Sequence, residues 1–123
     1  TTETYVKIVL PFKHRSAFAK FRCGVAPLRL ETGRYESLDV QLRVCPFCKD
    51  TVENELHVVT QCPVYDDIRN ELYLRASTLD IEFNDKSCCD KFVYIFSSPS
   101  MVRVAAKSCF LMLRRRTSLL YTT

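Results

Sequence analysis

Four residues near the middle of the chain have the types and spacing to bind one metal ion: Cys45, Cys48, His57 and Cys62, a C-x2-C-x8-H-x4-C pattern. Two cysteines separated by two residues form a tight knuckle that points both sulfurs at one centre. His57 and Cys62 can reach the same centre from a short turn of helix. Three thiolates and one imidazole complete a tetrahedron. This is how structural Zn²⁺ is held, with Zn–S about 2.3 Å and Zn–N about 2.0–2.1 Å. Zn²⁺ is therefore the expected cofactor. All four positions are taken by the protein, leaving none for a reacting water, so a hydrolytic zinc enzyme is not expected.

These ligands must be positioned by short elements. His14 to Cys23 reads as a helix, with Phe18 and Phe21 three apart on one face and Gly24 as its stop. His14 lies outside the metal spacing and reads as a surface or capping histidine. Residues 25–44 look irregular because Pro27 and Gly33 break any long element, although the alternation Leu38-Asp39-Val40-Gln41-Leu42 fits a short strand. Asp50 with Glu53 reads as a capping box opening a helix that carries Val52, Leu56 and Val59 on one stripe and His57 beside it. Pro63 ends that helix and starts the next, Val64 to Ala76, with Tyr65, Ile68, Leu72 and Leu74 inward. Its Asp66-Asp67 pair sits at a helix start and is not a polymerase turn.

Thr78 to Asn84 reads as a linker. A further helix is expected from Asp85 to Ser97, with Phe92, Ile95 and Phe96 inward, and a last one from about Pro99 to Tyr121, buried along Val102, Ala105, Ala106, Cys109 and Leu113. Tyr5 to Leu10 fits either a short strand or a helix end. Cys23 and Cys109 read as small apolar core residues, and the adjacent Cys88 and Cys89 as core or surface thiols. The expected fold is mainly α: a small zinc-stabilised helical domain with an irregular CCHC knuckle. One domain is expected overall, in three stretches: a basic lead-in over 1–44, the zinc core over 45–76 and a helical region over 77–123.

The 123 residues and seven cysteines suit a single small domain that benefits from a metal cross-link. The start, Thr1-Thr2-Glu3-Thr4, has no basic region leading into an apolar run, so the thiols are expected to be reduced and the protein intracellular, nuclear or cytoplasmic. A start without Met is expected for a segment of a longer chain. No apolar run approaches the roughly 18 residues that a membrane span needs, and no membrane association is expected. The net charge of +4 is unevenly spread. Residues 1–49 hold nine Lys/Arg against four Asp/Glu, residues 50–90 three against ten, and residues 91–123 six against none. Basic ends around an acidic middle either meet an anionic partner or pack against the middle.

The motifs extend beyond the metal site. Ala19 to Gly24, the run Pro27-Leu28-Arg29-Leu30-Glu31-Thr32-Gly33-Arg34-Tyr35, and Arg43-Val44-Cys45-Pro46-Phe47-Cys48 resemble successive elements of one family. So do Val52-Glu53-Asn54-Glu55-Leu56-His57, Cys62-Pro63-Val64-Tyr65 with Arg69, and Lys91-Phe92. The chain resembles, over roughly residues 14–96, the zinc-binding region that follows the reverse transcriptase in non-LTR (LINE-type) retrotransposon proteins. The resemblance implies a non-catalytic metal-binding module that assists RNA or DNA binding beside an upstream reverse transcriptase domain. Polymerase and endonuclease motifs are absent from this chain. The residues expected to meet phosphate are Lys13, Arg15, Lys20, Arg22, Arg29, Arg34 and Arg43, with Arg114, Arg115 and Arg116 as a second patch. Phe47 or Tyr35 can stack on an unpaired base, and Arg22 is alternatively a buried partner of Glu31 or Glu53. The competing expectation is a zinc-stabilised protein-interaction module that docks on a polymerase domain or another protein through the acidic 50–90 segment and the apolar tail after Arg116.

Overall fold

A computed structural model describes residues 10–121. Six α-helices are present among the described residues: α1 Phe12–Cys23, α2 Arg29–Tyr35, α3 Glu55–Thr60, α4 Asp66–Leu79, α5 Cys88–Ser97 and α6 Val102–Leu120. Short 3-10 turns lead into α4 and α6. Among the described residues there is no strand, only an isolated antiparallel bridge between Val44 and Val52. The mainly α, metal-knuckle architecture expected from the sequence is the one observed. The Tyr5–Leu10 segment lies outside the described residues except for Leu10, which is buried.

The first and last helices pack on each other, α4 also packs on α6, and α3 packs on α5. The core between them is continuous from Leu10 to Met112. Its aromatic centre is Phe96, whose ring lies 5.3 Å from Phe18, 6.5 Å from Phe21 and 4.5 Å from Phe92. Offset ring pairs of this kind add to the burial of their area. α1 starts at Phe12, two residues before the expected point, with Pro11 as its N-cap: the Pro11 carbonyl accepts the first helical bond, from Arg15 N–H at 3.0 Å. It stops at Gly24, whose φ of 71° lets its N–H reach back to the Lys20 and Phe21 carbonyls.

Several expectations are corrected. Residues 29–35 are a helix, not irregular chain. Gly33 lies inside it because Arg43 crosses that point: a Cβ there would stand 2.6 Å from Arg43 Cγ. Residues 38–42 form no strand; Val40–Leu42 is a 3-10 turn. α4 continues to Leu79, and the following stretch is no free linker, since Phe83 within it is fully buried against Tyr73 and Tyr94. Leu74 faces solvent at 67% exposure, off the inner stripe of Ile68, Leu72 and Ala76. α5 begins at Cys88, with the Ser87 hydroxyl accepting from Asp90 N–H. Cys23 is exposed and Cys109 is buried, so only the second is a core thiol.

Candidate metal centre

The chain around the ligands is fixed by backbone hydrogen bonds before any metal is considered. Cys45 N–H donates to Thr51 O at 2.9 Å, Lys49 N–H to Cys45 O at 3.0 Å, and Glu53 N–H to Arg43 O at 2.9 Å. These bonds fold residues 43–53 into a hairpin-like loop. Lys49 sits at its turn with φ 61°. The fourth ligand arrives after α3, which is capped by Asn54: its Oδ1 accepts from His57 N–H at 2.8 Å. The expected capping box at Asp50 and Glu53 does not form, because the loop's pairing carries the chain past Asp50 before the helix can start.

Within this frame the ligand atoms of Cys45, Cys48, His57 and Cys62 all lie within 4.8 Å of one another. Cys45 Sγ and Cys62 Sγ are 3.8 Å apart, and Cys48 Sγ is 3.3 Å from His57 Nε2. The sulfur pair is far too wide for a disulfide, whose S–S bond is about 2.0 Å. It matches the edge of a tetrahedron with metal–sulfur bonds of about 2.3 Å, which is about 3.8 Å. Cys45 and Cys62 are fully buried and His57 nearly so. Burial, with the neighbouring Cys45 and Cys48 thiols adding to it, pushes the Cys62 thiol up to about 12 in the absence of a cation. A cation at the centre reverses that preference and deprotonates the thiols. The four residues fit a metal ion.

The far side of His57 is also arranged. Nδ1 lies 2.9 Å from Thr51 Oγ1 and 3.3 Å from Gln61 Oε1. An Nδ1–H donated to these oxygens leaves the Nε2 lone pair facing the thiols, which is the tautomer a ligand needs. Thr51→Val is therefore expected to lower metal affinity about tenfold, the low end of the range for lost ligand-orienting partners, since Gln61 remains. Competition with a chromogenic chelator measures it, and unchanged affinity would deny Thr51 this role.

Two buried charges lock the centre into the fold. Arg69 donates to Val59 O at 2.8 Å, Val58 O at 3.0 Å and Cys62 O at 2.6 Å, and pairs with Asp66 at 2.6 Å. It thereby satisfies the open carbonyls at the end of α3 and fixes the ligand that follows. Glu53 has no exposed surface. It accepts from Arg29 N–H at 2.7 Å at the start of α2 and from Arg116 of α6 through both oxygens, at 2.7 and 2.8 Å. Glu55, whose carboxyl is pushed up by burial, accepts from Ala26 N–H at 3.1 Å. The ligand loop thus holds the first third of the chain and the last helix. Phe47 packs edge-on to the buried Tyr65, 6.5 Å between ring centres, which accounts for it as a packing residue.

Of the ten cations expected at phosphate, five are held by carboxylates or backbone carbonyls. Arg116 is buried in its pair with Glu53 and faces no solvent ligand; the partner of Glu53 is Arg116 rather than Arg22. Arg43 donates to Leu38 O and Leu30 O, both at 2.9 Å. Arg29 pairs with Glu36, Arg34 with Glu31, and Arg115 with Asp67 and Val64 O. That last pair draws the Asp67 carboxyl down to about 2. Lys13, Arg15, Lys20 and Arg22 on α1 and Arg114 on α6 are exposed. Arg114 lies over the Phe110 ring at 5.4 Å, and Arg15 over Phe12 at 5.8 Å. Four exposed cations lie outside the expected set: Lys49, Arg75, Arg103 and Lys107. The last two could have been found from their spacing with Arg114, opposite the apolar stripe of α6.

Among the described residues no helix is long and apolar enough to cross a membrane. No family model, no curated protein and no solved structure matches the chain.

Proposed function

We propose that this chain is a structural zinc module that holds RNA or DNA beside a polymerase of the retrotransposon reverse transcriptase class, and that it performs no catalysis itself. Zn²⁺ is the ion that three thiolates and one imidazole suit best, and a site with four protein ligands is closed to substrate. The role of the ion is to cross-link the Cys45 loop to the end of α3. The motif resemblance across residues 14–96 supplies the setting, an intracellular protein with the polymerase upstream.

The observation that carries the nucleic-acid reading is the separation of paired from unpaired cations. The arginines near the metal centre are bound to carboxylates or backbone carbonyls. Lys13 and Lys20 form no ion pair among the described residues and lie together on α1. Unpaired cations on one face meet phosphate by releasing its counterions, which makes binding fall with salt. Fluorescence anisotropy with labelled RNA and DNA, from about 50 to 200 mM salt, tests this. Affinity is expected to fall steeply over that range, and Lys13→Gln with Lys20→Gln to shallow the slope while leaving metal content intact. Metal-loaded protein that binds no nucleic acid at about 50 mM salt would defeat the reading.

One observation favours docking on a protein instead. Leu74 is 67% and Ile81 90% exposed, and Leu119, Leu120 and Tyr121 are exposed at the end of α6. Capture of an upstream reverse transcriptase domain, lost on Ile81→Ser, is the outcome that reading expects.

A further inference from the structure

α6 is buried along Val102, Ala105, Cys109, Met112 and Arg116. A second stripe of the same helix, Arg103, Lys107, Phe110 and Arg114, follows the i, i+4, i+7, i+11 spacing that keeps side chains on one face. Arg103, Lys107 and Arg114 are exposed and Phe110 is half-buried. Two hollows open along this stripe. One, of about 400 Å³, is flanked by Arg75 of α4 with Arg103 and Lys107. The other, of about 540 Å³, lies between α1 and α6 and is lined by Lys13, Phe110, Leu113 and Arg114. Neither has an acidic residue in its lining. Arg75, Arg103, Lys107 and Lys13 have no carboxylate partner among the described residues, unlike Arg115 and Arg116 one and two positions on from Arg114.

We infer that this stripe is a track for single-stranded nucleic acid. The inference rests on the nucleic-acid reading above and adds the site and the kind of strand. Three features of the stripe point to a single strand. First, it is linear. Arg103 to Arg114 spans about 16 Å at 1.5 Å per residue, or four to five nucleotides of one stacked strand at about 3.4 Å each. Second, it is apolar between its charges. Phe110 is flanked by the Arg114 guanidinium at 5.4 Å and by the His14 ring at 5.0 Å, and Leu113 lies beside it in the hollow. A duplex offers phosphate along its flank and keeps its bases stacked inside, whereas an unpaired base can lie on an aromatic surface. Third, cations stand at both ends of the aromatic position, Lys107 and Arg103 before it, Arg114 and Lys13 after it. A backbone can therefore be held on either side of a base resting at Phe110.

The test uses the whole metal-loaded chain with a labelled 20-nucleotide oligo-U and a 20-base-pair duplex, titrated across salt. Oligo-U is expected to bind at least tenfold more tightly than the duplex at about 50 mM salt. Arg103→Gln with Lys107→Gln is expected to reduce the slope of log affinity against log salt by about 1.4, since each phosphate lost from a single strand is worth about 0.7. Phe110→Leu, which keeps an apolar group in place, is expected to weaken oligo-U binding about tenfold with the slope unchanged. Lys86→Gln, which removes a cation already paired with Asp80, is expected to change little. Equal or tighter binding of the duplex overturns the inference, as does an Arg103/Lys107 variant that behaves like Lys86→Gln. Displacement of oligo-U by polyglutamate as readily as by unlabelled poly-U also overturns it, and marks the stripe as a surface for acidic protein. Binding weakened by Lys20→Gln but retained in the Arg103/Lys107 variant removes the track alone and leaves the nucleic-acid reading standing. Absence of binding to any strand removes both.

Discussion

Withdrawal of the metal with a strong chelator is expected to unfold the segment from Cys45 to Ala76 and to loosen the helices packed on it. The ligand loop has a single β-bridge and a few backbone bonds of its own. α3 is six residues long, far below the length at which a helix persists unaided. Buried pairs at Glu53 and Arg69 hold its flanks, but the cross-link between the Cys45 loop and the end of α3 is the one an ion on Cys45, Cys48, His57 and Cys62 would supply. In small zinc-finger peptides the binding free energy of such an ion, about 10–16 kcal/mol, is folding free energy. A domain of this size has about 5–15 kcal/mol of stability in total. Loss of the ion therefore removes a share comparable to the whole. Circular dichroism is expected to show a large, zinc-reversible loss of helix, and Cys62→Ser to behave like the chelated protein. A chelated protein whose helix content and melting temperature stay within a few degrees of the loaded form would contradict this. Cys23, Cys88, Cys89 and Cys109 supply no ligand atom, so replacing each singly is expected to leave metal content unchanged.

Arg116→Met is expected to destabilise the loaded protein by about 3–5 kcal/mol, the range for removing one partner of a buried ion pair. The side chain joins α6 to Glu53 across 63 positions in sequence, and Glu53 has no exposed surface. Without the guanidinium its carboxylate is left inside with only the Arg29 N–H donor on its oxygens. The double variant Glu53→Met with Arg116→Met removes both charges. It is expected to be less destabilised than the two single effects added together, since the shared pair is then counted once. Urea denaturation with zinc in excess measures all three proteins. A cost below about 1 kcal/mol for Arg116→Met would show that the pair is not holding α6. Any removal of charge at the basic tail must accordingly spare Arg116, or loss of fold will be read as loss of binding.

The sequence revealed the metal centre better than its surroundings, and the reasons are specific. Cys45, Cys48, His57 and Cys62 announce themselves because a metal needs particular atom types at short chain separations. The large apolar stripes of α1 and α6 are likewise carried by local spacing. α2 was hidden because Gly33 is a helix breaker in isolation, and its tolerance depends on Arg43, ten residues away, lying over it. Glu53 looked like half of a capping box because its distance from Asp50 is right. Its actual partners, Arg29 and Arg116, are 24 and 63 positions distant and visible only once the chain is folded. Arg116 falls on the buried stripe Val102, Ala105, Cys109 and Met112, one step further on. Its position said inside while its charge said outside. The same long-range pairing divides the cations: Arg29, Arg34, Arg115 and Arg116 meet carboxylates, and Arg103 and Lys107 meet none among the described residues.

X-ray absorption at the zinc edge, made on protein purified under reducing conditions with its metal content counted in the same sample, tests the metal centre itself. One zinc per chain is expected, with three sulfur neighbours at about 2.3 Å and one nitrogen at about 2.0–2.1 Å. The nitrogen is expected to be lost on His57→Ala and one sulfur on Cys48→Ser. Protein that is folded and free of metal, or a zinc shell made of oxygen and nitrogen alone, would contradict this.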